Sequence, residues 1–238
     1  MELNLIQKIT IWVIPVIFAI TLHEAAHGYV ARYFGDKSAW MLGRVTLNPL
    51  KHIDPVGTIL VPLSILLMSK LLGGGFILFG WAKPVPVNFA ALRHPKQDML
   101  WVALAGPAAN LFMALIWAMV IHLGVAMGGN ALGSSYGQPL VLMGAAGIFI
   151  NAVLMALNLF PLPPLDGGRI AVSLLPGQYA WRYASIEPYG FYILLFLMMM
   201  GWLNVLLSPV LGVVLMLASV FAGIGDSDMV YLIQAVTS

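Results

Sequence analysis

The stretch "FAITLHEAAHGYVARYFGD", residues 18–36, places two histidines and a glutamate inside an apolar run. These residues are His23, Glu24 and His27, which fall within five consecutive positions. An ionisable side chain in hydrocarbon is costly unless it is paired or hydrated, so such residues mark functional sites in membrane helices. The stretch therefore predicts a membrane-embedded helix with a site built into it.

The composition places the whole chain among membrane proteins. Of its 238 residues, 61% are hydrophobic and 8% are charged, and the mean hydropathy of +0.94 lies far above that of soluble domains. Residues 99–165 and 188–225 contain no Asp, Glu, Lys or Arg. The formal net charge of +2, without a basic run, argues against nucleic-acid binding. The absence of cysteine excludes disulfides and thiolate metal ligands.

We predict an all-α membrane protein, a polytopic bundle of about six transmembrane segments forming a single domain over residues 1–238. The apolar segments are about residues 5–33, 56–72, 99–126, 139–160, 188–207 and 209–224. A short extended or re-entrant β-like element is expected around residues 73–90, because the residues after its Gly triplet are too few for another helix. An extended return across the membrane and a shallow re-entrant hairpin both satisfy this pattern.

Lys and Arg indicate the orientation of the bundle. They cluster after the first, before the third and after the fourth segment, and none occurs at residues 97–168. By the positive-inside rule these clusters share the cytoplasmic side, and the amino terminus lies outside. At about 1.5 Å per residue, Glu24 lies about 22 Å beyond Ile9, so the site is expected inside the bilayer but near its cytoplasmic surface.

The sequence "HEAAH", residues 23–27, has the spacing of a metal site. Positions i and i+4 lie on one face of a helix, so both imidazoles can bind one ion while Glu24 reaches a ligand bound to that ion. This is the arrangement of zinc hydrolases. The alternative is that the two histidines form interhelical hydrogen bonds and that Glu24 is a buried, protonated packing residue.

A catalytic zinc site usually has three protein ligands, and Asp166 is the candidate for the third. It lies in "NLFPLPPLDGGRI", residues 158–170, as the sole carboxylate in an apolar neighbourhood. The prolines before it favour an extended chain, and Gly167 and Gly168 allow the backbone to turn closely around the carboxylate. Alternatively, Asp166 caps the amino terminus of a helix that begins near Gly167.

Three motifs in the chain resemble those of the site-2 protease family of intramembrane zinc metalloproteases. They are "HEAAH", "GPAAN" at residues 106–110 and "NLFPLPPLDGG" at residues 158–168. The resemblance extends over nearly the whole sequence. The string "GRVTLNPLKHIDPVGT", residues 43–58, is similar to the compact prokaryotic branch, and the chain has no room for the PDZ or CBS module that many members carry.

The resemblance implies one Zn²⁺ per chain, with His23, His27 and Asp166 as ligands, Glu24 as the catalytic acid and base, and Asn158 as a catalytic residue that steadies the oxyanion. It implies an intramembrane zinc endopeptidase in a prokaryotic cytoplasmic membrane. Its substrate would be a transmembrane or signal-peptide-like helix, cut near the cytoplasmic face. The alternative from another class is a non-catalytic membrane metal-binding protein or transporter.

A substrate helix must unwind locally before its carbonyls can be attacked. The β-rich stretch at residues 76–88 is expected to hold the unwound segment by strand addition, with Phe79, Gly80 and Trp81 as candidate substrate contacts. Asn110 follows the small residues of "GPAA". It is expected either to contact substrate or to brace the site by a hydrogen bond.

Two other histidines have simpler interpretations. His52 and Asp54 either order a cytoplasmic loop or form a secondary metal or gating pair. His122 lies in the third apolar segment, where an interhelical or interfacial hydrogen bond is favoured over metal binding.

Overall fold

The computed structural model describes residues 4–61, 64, 82–128 and 136–237. Within these ranges the regular secondary structure is helical, and no strand is present. Four of the described helices are long and apolar enough to cross a membrane: Ile6–Tyr33, Pro95–Ala126, Gln138–Leu159 and Trp202–Ala222. The predicted all-α membrane fold is therefore confirmed for the described part of the chain.

We number the α-helices in chain order. The long helices are α1 (Leu5–Tyr33), α3 (Pro95–Ala126), α4 (Gln138–Leu159) and α8 (Trp202–Ala222). The shorter helices are α2 (Ser38–Met41), α5 (Asp166–Leu174), α6 (Gly177–Ala184), α7 (Glu187–Met199) and α9 (Asp226–Thr237). Single 3₁₀ turns at Pro49–Lys51 and Phe89–Ala91 and a π-helical turn at Pro55–Leu60 lie in the connections.

Helix α1 carries the predicted site and is defined at both ends. At its start the Asn4 side chain accepts a hydrogen bond from the Gln7 N–H at 2.9 Å, and the Gln7 side chain accepts one from the Asn4 N–H at 2.9 Å. This capping box satisfies two amino-terminal donors. Beyond Tyr33, Gly35 adopts a φ of 115°, which favours glycine and turns the chain back.

Helices α3 and α4 form the centre of the bundle and approach each other through glycines of α4. A Cβ on Gly147 would lie 2.2 Å from Trp117 Cγ, and one on Gly144 would lie 2.5 Å from Ile121 Cγ1. Small residues allow such close contact between membrane helices. Trp117 and Ile121 belong to a buried apolar cluster that also includes residues of α1 and α9, so the central pair fixes the position of α1.

The fifth and sixth predicted segments, 188–207 and 209–224, are divided differently in the structure. The chain breaks at Gly201, where φ is 72°, between the 13-residue α7 and α8. Pro209 lies inside α8. A glycine in the left-handed conformation ends a helix, whereas neighbouring groups compensate for the missing proline N–H in membrane helices. The boundary predicted beside Pro209 is therefore wrong.

The second predicted segment, residues 56–72, lies largely outside the described residues, and so does the first part of the predicted β-like element around residues 73–90. The count of about six transmembrane segments is compatible with the structure and stays a prediction. Residues 82–88 have no regular secondary structure and lead to Asn88, whose backbone is extended with φ −94° and ψ 91°.

Candidate metal centre

The structure brings His23, His27 and Asp166 together. Both histidines project from the same face of α1, and Asp166 is the first residue of α5. The two Nε2 atoms lie 3.1 Å apart, and Asp166 Oδ2 lies 3.3 Å from His23 Nε2 and 3.2 Å from His27 Nε2. The three side chains are only 9%, 12% and 13% exposed. The helix cap before α5 is Leu165, so Asp166 is not the N-cap residue of the alternative interpretation.

The second ring nitrogen of each histidine fixes where its proton resides. His27 Nδ1 lies 2.7 Å from the Val102 carbonyl oxygen, which can only accept, so this nitrogen carries the proton. His23 Nδ1 lies 2.6 Å from Asn110 Oδ1 and likewise donates. In the neutral imidazoles, both Nε2 atoms therefore present lone pairs, and the buried Asp166 Oδ2 receives no hydrogen bond. Three lone pairs converge on one point, an arrangement that a cation stabilises.

The spacing of these three atoms fits zinc. In a tetrahedral site with metal–ligand distances of about 2.0–2.1 Å, ligand atoms lie about 3.3 Å from one another. The three separations of 3.1, 3.2 and 3.3 Å match this value. Two imidazoles and one carboxylate are a donor set typical of catalytic zinc.

Gly106, the first residue of "GPAAN", provides space for this cluster. A Cβ at this position would lie 2.4 Å from His27 Nε2 and 2.5 Å from His23 Cε1, well inside van der Waals contact. Helix α3 therefore approaches the two imidazoles at a position where only glycine leaves them undisturbed. The sequence indicated close helix packing for this motif but gave no sign that Gly106 faces the ligands.

Glu24 lies beside the ligand cluster and contacts the extended segment. Its Oε2 accepts a hydrogen bond from the Val85 N–H at 2.7 Å, and Val85 is buried. Arg44 also holds the segment, because its guanidinium donates to the carbonyls of Lys83 at 3.0 Å and Pro84 at 3.2 Å. The described part of the predicted β-like element thus forms one wall of the site.

A cavity of about 240 Å³ opens onto the ligands. The three candidate ligands line this cavity. Other lining residues are Glu24, Asn158, Val85 and Arg169. Asn158, on the last turns of α4, uses its amide Nδ2 to donate to the Leu154 carbonyl at 3.0 Å. Arg169 is one of the basic residues that follow the fourth apolar segment. It lies three residues after Asp166 on the same helix, and this spacing is the sequence signal that both face one cavity.

Other singled-out residues have definite positions. Asn110 is fully buried and contacts His23, which favours the bracing interpretation. Phe79, Gly80 and Trp81 lie outside the described residues. His52 is buried and its Nε2 lies 2.9 Å from the Thr46 carbonyl oxygen within the loop.

The side chain of His122 lies at an interhelical contact. Its Nδ1 lies 3.2 Å from the Ala222 carbonyl oxygen at the end of α8. This is the interhelical hydrogen bond that the sequence favoured.

Comparison with known proteins identifies the relatives of the chain. The family model "Peptidase family M50" matches residues 11–201. The protein named "Putative zinc metalloprotease YwhC" from Bacillus subtilis is 40% identical over 199 residues, which cover 84% of each chain. Rip2 of Mycolicibacterium smegmatis, which has the same descriptive name, is 31% identical over 193 residues, covering 79% of this chain and 66% of its own. No solved structure gives a significant match.

Proposed function

The chain belongs to peptidase family M50, and on this basis we propose that it is an intramembrane zinc endopeptidase that hydrolyses a peptide bond in a transmembrane or signal-peptide-like helix. The observation that carries the proposal is the convergence of three potential ligand atoms beside Glu24 in one cavity. His23, His27 and Asp166 would hold one zinc ion. When bound, zinc acts as a Lewis acid that activates water and polarises a carbonyl group.

Glu24 is the proposed acid and base. Its carboxylate lines the same cavity as the ligands. An ionised carboxylate offers about four acceptor positions, so the hydrogen bond from Val85 leaves positions for a water molecule. Glu24 would take the proton of the attacking water and later deliver it to the leaving amine.

Asn158 is the proposed donor to the substrate carbonyl. Its amide has two N–H groups, one of which donates to the Leu154 carbonyl. That bond fixes the orientation of the amide, and the second N–H can reach a carbonyl oxygen in the cavity. One well-placed donor of this kind contributes about 3 kcal/mol to transition-state stabilisation.

The extended segment at residues 82–88 is the proposed binding strip for the unwound substrate. It passes over Glu24 through the Val85 N–H, and Pro84, Val85 and Val87 line the cavity that holds the candidate ligands. A substrate added to this segment would therefore lie next to the metal ligands. Asn110 is not included among the proposed substrate contacts, because it is buried behind His23.

The membrane setting is also part of the proposal. Residues 1–238 are treated as one metalloprotease domain, since residues of α1, α3, α4 and α9 share one buried cluster. The four apolar helices support an integral membrane protein. The uneven distribution of Lys and Arg supports a site near the cytoplasmic face, and the bacterial relatives support a prokaryotic cytoplasmic membrane. The lipid bilayer and a membrane protein substrate would be the partners.

The test uses purified protein in detergent and a model transmembrane substrate. The wild type should contain one zinc per chain and cleave the substrate. Glu24→Gln should keep the zinc and lose cleavage, whereas Asp166→Ala should lose both. Zinc retention without cleavage by the wild type, across several transmembrane substrates, would instead favour the non-catalytic metal-binding protein. Full zinc occupancy in Asp166→Ala would remove Asp166 from the ligand set.

A further inference from the structure

Two asparagines continue the hydrogen bonding of His23 into the protein interior. Asn110 on α3 and Asn151 on α4 both have 0% exposure. Asn110 Oδ1 lies 2.6 Å from His23 Nδ1, and Asn110 Nδ2 donates to Asn151 Oδ1 at 2.9 Å. Asn151 Nδ2 in turn donates to the Gly147 carbonyl at 2.8 Å. No motif in the sequence marked Asn151.

The Gly147 carbonyl at the end of this series orients both amides, and a longer contact of Asn110 Nδ2 with the Ala19 carbonyl, at 3.4 Å, favours the same orientation of Asn110. The Gly147 carbonyl can only accept, so Asn151 must present its amide nitrogen to it and its oxygen to Asn110. Asn110 then turns its nitrogen towards Asn151 and its oxygen towards His23. His23 must therefore carry its proton on Nδ1 and leave a lone pair on Nε2.

We propose that Asn151 is a positioning residue of the metal centre: by orienting the Asn110 amide, it fixes the His23 tautomer that can bind zinc. The inference rests on the metal centre of the proposed function. It does not depend on whether the protein cleaves peptides.

Turning the Asn110 amide over would give a competing, metal-free arrangement of the same ligands. If Asn110 were turned over, its amide N–H₂ would face His23, and the proton of His23 would move to Nε2. That proton would point to Asp166 Oδ2, only 3.3 Å away. A hydrogen bond would then close the site where the metal should bind. Asn151 therefore acts against a metal-free arrangement that the same ligands could form.

His27 needs no such support, which provides an internal comparison. Its Nδ1 donates directly to the Val102 carbonyl, a backbone group that cannot turn over. A carboxamide can turn by half a rotation and exchange its donor and acceptor. For this reason the tautomer of His23, unlike that of His27, depends on what the Asn110 amide contacts, and the shorter of the Asn110 Nδ2 contacts is the one with Asn151.

The placement of Asn151 also fits the helix geometry. Asn151 and Asn158 are seven residues apart, nearly two helical turns, so they lie on the same face of α4 about 10 Å apart. Asn158 lines the cavity, and Asn151 supports the ligands from deeper in the bundle. One face of α4 thus serves the metal centre at two depths.

The test compares Asn151→Leu, which has a similar size but no hydrogen bonds, with Ile148→Ala on the same helix. Zinc affinity is measured by competition with a chromophoric chelator. The tautomers are read from ¹⁵N spectra of the zinc-free protein with labelled histidine. Asn151→Leu should weaken zinc binding about 10- to 100-fold, the range for residues that orient ligands, and should change the His23 signals but not those of His27. Ile148→Ala, which opens a cavity in the core, should change neither.

A second substitution distinguishes orientation from packing. Asn110→Asp offers His23 an acceptor oxygen in either orientation, so it removes the need for Asn151. Adding it to Asn151→Leu should restore the His23 tautomer and most of the zinc affinity. If Asn151→Leu does not fold, Asn151→Ala serves in its place. Zinc binding within threefold of wild type together with unchanged His23 signals would overturn the inference, as would a failure of Asn110→Asp to restore them. A wild type that binds no zinc would instead refute the metal centre itself.

Discussion

Replacing Gly106 by Ala should weaken zinc binding about 100-fold or more while the bundle stays folded. The added Cβ would lie 2.4 Å from His27 Nε2 and 2.6 Å from His23 Nε2. Non-bonded carbon contacts are optimal at about 3.5–4.0 Å, so the imidazoles would have to move by about 1 Å. Metal–ligand distances tolerate deviations of only about 0.2 Å. The substitution therefore acts directly on the ligand geometry.

The expected magnitude follows from the free energy that each ligand contributes. Zinc binding to four-ligand sites is worth about 10–16 kcal/mol in total, or about 3 kcal/mol per ligand. Displacing at least one ligand should then weaken binding about 100-fold or more. The assay is chelator competition on the purified protein, with a thermal unfolding curve recorded for each variant.

Two other helical glycines provide matched controls. Gly144→Ala would place its Cβ 2.5 Å from Ile121 Cγ1, away from the metal ligands, and should lower the unfolding temperature while zinc affinity stays the same. Gly212→Ala meets no atom within 4 Å and should be neutral or slightly stabilising. Wild-type zinc affinity in Gly106→Ala, or an equal loss in Gly144→Ala, would refute the reasoning.

Two further predictions concern the cavity and the loop beside it. Asn158→Ala should slow cleavage about 10²- to 10³-fold with unchanged zinc affinity, as measured by substrate turnover and chelator competition; loss of zinc would show that Asn158 supports the ligands instead. Burial raises the pKa of the Asp36 carboxyl, but hydrogen bonds from Ser38 and the Asn88 N–H outweigh this effect, so its pKa lies below the usual range. A lowered pKa contributes stability above the unfolded value of about 3.9 that is lost as the pH falls through the folded value. Asp36→Ala should therefore lower the free energy of unfolding by about 2–3 kcal/mol at neutral pH, and this difference should shrink below about pH 4. A difference in unfolding that is independent of pH would contradict the ionic role of Asp36.

The sequence by itself determined the membrane class and predicted that His23, His27 and Asp166 form a cluster of candidate metal ligands. Hydrocarbon length and composition define the apolar spans, and "HEAAH" places His23 and His27 on one face because helix periodicity is a local property. Asp166 is the candidate third ligand because a catalytic zinc site usually has three protein ligands and Asp166 is the sole carboxylate in an apolar neighbourhood. Each of these inferences depends on neighbours in sequence or on the cost of burying a charge.

Only the tertiary structure decided how distant residues support that cluster. The sequence alone indicates only a packing role for Gly106. The structure shows that α3 places this glycine against the two imidazoles. Asn151 has no sequence signal because its role exists only through Asn110, 41 positions away. The contact of Val85 with Glu24 spans 61 positions. Hydrogen bonds and steric contacts depend on separations of a few ångströms in space, and no local pattern of residue types encodes which remote segments reach that separation.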